Sequence, residues 1–159
     1  MTTAQVSKTY GTRNRGTGIP SRALSPSLIQ YAEVDISSAA VLTLNASPVT
    51  IVPAPGGGRV LEFISAVLII DYNSTTYATN GVCNFRYTDG SGTIVSDSVA
   101  AAAFLHQVDD CIEVCQALSA EVELTANAAL VFSVDTGEVD TGNSPIRIKC
   151  AFRVHETGL

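Results

Sequence analysis

Tryptophan is absent, methionine occurs once, and aromatic residues make up only 6% of the 159-residue chain. Charged residues are scarce at 15%, against a usual share of about 25% in globular domains. Such scarcity fits either a surface partly covered by other chains or an exposed surface built from Ser, Thr and Asn. No stretch approaches the ~20 apolar residues of a membrane span. The longest apolar runs are residues 66–70 and 99–105. The first residues lack the apolar centre of a secretory signal, so the chain reads as soluble, without membrane contact and not exported. No acidic residue precedes Glu33, which leaves the basic residues before it without local counter-charges.

That last absence divides the chain into two unlike parts. Residues 1–32 carry Lys8, Arg13, Arg15 and Arg22 and are +4; the remaining five basic and all fifteen acidic residues make the rest −10, for a total of −6. The first part holds Gly11, Gly16, Gly18, Pro20 and Pro26 and shows little periodicity, so it reads as an extended basic arm over residues 1–32. Ile19, Leu24, Leu28 and Ile29 give the arm apolar anchors. Four cations with one aromatic, Tyr10, make a thin footprint for nucleic acid, where Lys and Arg normally cluster densely. An acidic protein surface is the better partner, through electrostatic steering and apolar anchoring by Arg13, Arg15, Ile19, Arg22, Leu24, Leu28 and Ile29.

Residues 33–159 read as one β-domain, rich in Val, Ile and Thr. Strands are predicted over residues 40–44, 49–52, 59–72, 82–88, 93–96, 111–115, 121–125, 130–135 and 146–155. Residues 59–72 are nearly all apolar, which suggests a strand covered on both faces and bent near Ser65 and Ala66. Asp89-Gly90-Ser91-Gly92 marks a tight hairpin. In residues 146–155, Ile146, Ile148, Cys150, Phe152 and Val154 share one face, with Arg147, Lys149 and Arg153 on the other. Ser96 or Asp97 could cap one short helix over residues 97–106, where an alanine run raises helix propensity. The expected fold is all-β: an antiparallel sandwich, jelly-roll-like, with that helix and the N-terminal arm.

No chemistry-bearing constellation stands out. His106, Asp109, Asp110 and Cys111 are close in sequence, but a nucleophile needs an oriented base, and an exposed loop is the simpler reading. Gly56-Gly57-Gly58-Arg59 lacks a phosphate loop's Gly-Lys-Ser/Thr ending and leads into a strand. Glu138 and Asp140 lack the ordered spacing of a calcium loop. Cys83, Cys111, Cys115 and Cys150 have no paired metal-ligand spacing and read as buried free thiols. No cofactor, metal or catalytic residue is expected.

Val49-Thr50-Ile51-Val52-Pro53-Ala54-Pro55-Gly56-Gly57-Gly58-Arg59-Val60, leading to Ile69-Ile70-Asp71-Tyr72, resembles small virion proteins of tailed bacteriophages. So does Leu124-Thr125-Ala126-Asn127-Ala128-Ala129-Leu130 with the closing strand at residues 146–154. The resemblance spans residues 40–155, rests on strands and turns, and excludes the arm. It implies a β-sandwich that oligomerises, commonly as a homotrimer, on the particle: a capsid decoration (cement) protein, a head fibre or a piece of tail apparatus. The expected partner is the major capsid protein, and the expected location is the capsid surface after assembly in the host bacterial cytoplasm. The alternative is a fibre or tail component that binds a host receptor or glycan through loops such as residues 73–80.

Overall fold

Strict alternation along Gln30–Ile36 builds the first strand of the computed structural model, which describes residues 28–157. In this strand, β1, Ala32, Val34 and Ile36 are buried while Tyr31, Glu33 and Asp35 face out. The strand begins inside the span assigned to the arm, so residues 30–32 belong to the sandwich. Seven more strands follow: β2 Val49–Val52, β3 Arg59–Ile70, β4 Val82–Tyr87, β5 Val99–Ala100, β6 Cys111–Gln116, β7 Leu130–Val134 and β8 Ile146–Glu156.

They form two antiparallel four-stranded sheets, ordered β1-β8-β3-β6 and β2-β7-β4-β5. Pairing is nested: β1 lies beside β8, β2 beside β7, β3 beside β6 and β4 beside β5. The fold is an all-β sandwich, as expected.

β3 is the spine of the first sheet, paired with β8 on one side and β6 on the other. Its register on β8 shifts between Phe63 and Ser65, near the predicted bend. Before the bulge Leu61 and Phe63 face inward; after it Ala66, Leu68 and Ile70 do. Ile64 is the extra residue, and the bulge bends the strand without turning its later apolar residues outward.

The core lies between the inner faces of the two sheets. Phe63 stacks on Phe85 across the sandwich at 4.6 Å between ring centres, and Phe85 meets Phe132 at 5.2 Å. Two buried tyrosines satisfy their hydroxyls on backbone carbonyls, Tyr87 on Leu61 and Tyr77 on Ser144. Cys115, Ala66 and Cys150 share one inward row across β6, β3 and β8, opposite Cys83 on β4. All four thiols are free; Cys83, Cys115 and Cys150 are buried and Cys111 is half-buried.

Four predicted elements differ. Residues 40–44 are not a strand: Ser37 caps a four-residue helical turn, α1 Ser38–Val41, its hydroxyl accepting from the Ala40 amide at 3.3 Å. Residues 97–106 hold β5 and a single 3-10 turn at Ala101–Ala103 in place of a three-turn helix, because Val99, Ala101, Phe104 and Leu105 must all turn into the core. Residues 93–96 make isolated bridges, Ile94 to Arg86 and Ser96 to Ala117. Residues 121–125 make no strand pairing among the described residues; the chain next touches a strand at Ala126, bridged to Val60.

Candidate interaction surface

The outer face of the β1-β8-β3-β6 sheet is laid out by register in rows. One row runs Ile112, Ile69, Arg147, Asp35 from β6 to β1; the next runs Val114, Val67, Lys149, Glu33. Each row is apolar on β6 and β3 and charged on β8 and β1, so the face has an apolar half and a charged half.

The charged half neutralises itself. Arg147 Nε lies 2.6 Å from Asp35 Oδ1 and 3.5 Å from Glu33 Oε1, and Lys149 Nζ is 4.0 Å from the same Glu33 oxygen. The hydrogen bond to Asp35, reinforced by its charge, pushes the Arg147 guanidinium above its ordinary pKa. Glu62 takes both Arg153 Nη1 at 3.6 Å and His155 Nε2 at 2.7 Å. These pairs are solvent-exposed, so each adds little stability. Their main effect is to leave that half without free charge.

The apolar half ends on β6, an edge strand. Ile112 is 66% exposed and Val114 51%, and Val108 just before the strand is 62% exposed. Edge strands present unpaired N–H and C=O groups, and an exposed apolar edge is a template for another chain. At the far end of β6, the Asp97 amide donates to the Gln116 carbonyl at 2.9 Å, tying the end of the strand to the other sheet.

Acidic residues flank this edge: Asp109, Asp110 and Glu113 on or beside β6, with Asp71 and Asp97 nearby. All five Lys and Arg side chains among the described residues are engaged in ion pairs, but with carboxylates elsewhere. Between β6 and the start of β8 runs an open groove of about 550 Å³, walled by Asp35, Asp71, Asp110 and Arg147 around Ile69, Ile112 and Pro145. Asp110 is held in place by the Tyr72 amide, which donates to its Oδ1 at 2.8 Å.

Of the residues predicted to bind a partner, Arg13, Arg15, Ile19, Arg22 and Leu24 lie outside the described residues. Leu28 and Ile29 are 56% and 43% exposed where the chain enters β1. That entry is at the sheet edge opposite β6. The surface residues Ile112 and Val114 were not singled out from the sequence. Their alternation with Cys111, Glu113 and Cys115 was the available signal, since Cys111 and Cys115 on one face and Ile112 and Val114 on the other leave one apolar pair outside.

The remaining sequence candidates have structural partners. His106 Nε2 meets the Thr79 carbonyl at 2.9 Å, and Cys111 Sγ points at the Ala103 carbonyl at 3.7 Å, so the two do not face each other as base and nucleophile. Glu138 accepts from the Asn45 and Ala46 amides at 3.3 and 3.0 Å. The Gly56 amide donates to Asn127 Oδ1 at 3.0 Å, fastening the glycine loop. No cluster of His, Cys, Asp and Glu suited to a metal ion occurs among the described residues. The loop at residues 73–80 is fastened too: Asn143 Oδ1 accepts from the Ser74 and Thr75 amides at 3.3 and 3.1 Å, and Ala78 bridges Asp140.

No protein-family profile matches the chain, and no curated protein matches it in sequence. Two solved structures are similar to it. A chain of the cyanophage Pam1 capsid asymmetric unit aligns with a TM-score of 0.44 and 12% identity, over 92% of this chain and 99% of that chain. A chain of the Ralstonia phage GP4 capsid aligns with a TM-score of 0.44 and 14% identity, over 87% of this chain and 90% of that chain.

Proposed function

We propose that this protein is a non-enzymatic structural component of a tailed-phage particle, a capsid decoration (cement) protein of the jelly-roll type. Its nested strand order supports the jelly-roll reading, and the resemblance over residues 40–155 supports the virion assignment. The single observation that carries an adhesive role is the divided outer sheet face, with exposed Ile112 and Val114 on β6, which has no strand beyond it among the described residues. An apolar edge of this kind needs a neighbouring chain to cover it.

On this reading the body assembles, as a homotrimer, and its arms hold major capsid subunits on the particle surface. Arg13, Arg15 and Arg22 meet acidic capsid surface, and Ile19, Leu24, Leu28 and Ile29 fill apolar grooves. Several modest arm contacts on one oligomer multiply through effective concentration. Assembly takes place in the host bacterial cytoplasm.

Co-sedimentation with capsids lacking this protein tests the proposal. Saturable binding that raises the capsid's disruption temperature is the expected result, with binding lost when Arg13 and Arg15 are both changed to Glu. A protein that leaves capsids untouched at any concentration would overturn it. The fastening of residues 73–80 by Asn143 favours a second reading, a fibre or tail component, because a rigid loop is a good receptor platform. That reading predicts glycan or host-surface binding without capsid binding.

A further inference from the structure

An asparagine carboxamide carbon can be attacked by the amide nitrogen of the next residue, closing a five-membered succinimide ring. Where the next residue is glycine, no Cβ hinders that approach. Six asparagines lie among the described residues, and of these only Asn80 precedes a glycine. The carboxamides of Asn45, Asn84, Asn127 and Asn143 are held in hydrogen bonds. Asn80 is exposed, and its carboxamide has no hydrogen-bond partner among the described residues. The glycine beside it is fixed by packing. Gly81 is buried just before β4, where a Cβ would lie 1.8 Å from the Asp135 carbonyl oxygen and 2.7 Å from Val134 Cγ1. Only glycine fits there, so the Asn-Gly pair depends on what stands at position 80.

The electrophile is therefore free, whereas the nucleophile is restrained. The Gly81 amide donates to Thr79 Oγ1 at 3.1 Å, a local side-chain-to-backbone bond two residues apart. Thr79 is anchored in turn, its carbonyl 2.9 Å from His106 Nε2. Beyond the glycine, the Asp135 amide donates to the Val82 carbonyl at 2.9 Å. Attack requires the Gly81 nitrogen to lose its proton and turn toward Asn80 Cγ, so the bond to Thr79 must open first. We infer that Asn80 is a deamidation site, exposed by its free carboxamide and held closed by the Thr79 hydroxyl.

The step balances with water alone. The Gly81 nitrogen bonds to Asn80 Cγ, the Cγ–Nδ2 bond breaks, and ammonia leaves carrying the proton from the Gly81 amide. Water then opens the succinimide at either carbonyl, leaving aspartate or isoaspartate at position 80. Both products place a new carboxylate at the entry to β4. Isoaspartate also adds a methylene to the main chain, next to a glycine that packing leaves no room to shift. The Val82–Asp135 hydrogen bond and the pairing of Cys83 with Val134 lie immediately beyond. A protein held for long in an assembled particle would thus carry a mark of its age at the start of one strand. The inference needs only the folded chain and stands whether or not the capsid reading does.

The test uses the full chain, incubated at mildly alkaline pH either folded in buffer or unfolded in guanidinium chloride. Peptide mapping that separates asparagine, aspartate and isoaspartate follows position 80 over time. Asn80 should convert in the unfolded chain and at least about tenfold more slowly in the folded one, which must open locally to react. Equal rates, or an unfolded chain that leaves Asn80 intact, would overturn the inference. The hydroxyl is tested separately with Thr79→Val, which keeps the side-chain shape, and with Thr79→Ala as a second variant. Folded protein of either kind should convert about three- to tenfold faster than folded wild type, the effect of one lost hydrogen bond. Thr79→Ser, which retains the hydroxyl, should stay near the wild-type rate. Folded variants that convert no faster than wild type would overturn the role given to Thr79.

Discussion

Arg86 on β4 and Asp135, just past β7, form the best-shielded ion pair among the described residues. Arg86 Nη2 lies 2.5 Å from both Asp135 oxygens, with the two side chains only 11% and 28% exposed. Asn84 donates to the same carboxylate at 2.9 Å, and Arg86 Nη1 donates to the Gly92 carbonyl at 3.1 Å. Asp135→Ala should therefore cost about 2–4 kcal/mol in urea unfolding, because it strands a shielded guanidinium. In the sequence Arg86 is one residue of the strand predicted over residues 82–88; its partner depends on the β4–β7 register, which that prediction does not set. Burial also moves titrations at this scale. It pushes Tyr77 and Tyr87 from 10.0 to about 12, and Cys83 and Cys150 from 9.0 to about 12. The unfolded chain gives up these protons first, so their contribution is fully present below about pH 9 and is lost as pH rises toward 12. Urea midpoints should fall steadily over that window, and Tyr87→Phe should reduce the slope.

At the scale of elements, the strands with strong patterns were legible and the short connections were not. Residues 59–72, 82–88 and 146–155 announced themselves through apolar run or alternation, and β3, β4 and β8 occupy nearly those spans. β1 was obscured because its outward Glu33 and Asp35 coincide with the charge boundary used to end the arm, although Ala32, Val34 and Ile36 alternate cleanly. Residues 97–106 misled through alanine propensity, which tertiary contacts override. There Phe104 and Leu105 are completely buried behind the 3-10 turn, closing one side of the core. Phe104→Ala should lower stability by about 3–5 kcal/mol, as other buried phenylalanine truncations do, with the loss read in thermal or urea unfolding. Residues 121–125 misled in the opposite sense. Glu121, Val122, Glu123 and Leu124 alternate like a strand, but their place in the fold gives them no strand to pair with among the described residues. Alternation reports which side a residue can face; pairing also needs a free neighbour.

For the whole molecule, the division of charge, +4 over residues 1–32 and −10 over the rest, was plain in the sequence, whereas the place where the acid gathers among the described residues was not. Ion pairs across β1, β8 and β3 cancel one half of the outer face and leave the β6 side acidic and apolar, a result of register between strands more than a hundred residues apart in the case of Asp35 and Arg147. The bulge in β3 has a bearing on the gene as well. With Ile64 removed, Phe63 would stay opposite Phe152 and Ser65 opposite Ala151, so the residues that face inward on either side would keep both their partners and their side of the sheet. A scan of single-codon deletions through β3 should therefore find that loss of codon 64 yields folded protein, at the cost of the carbonyl that receives the Ala117 amide. Loss of codon 67, nine nucleotides downstream, should turn Leu68 and Ile70 to water and yield none. That outcome would mark one expendable codon within β3, a point where the coding sequence could shorten without crossing from fold to misfold.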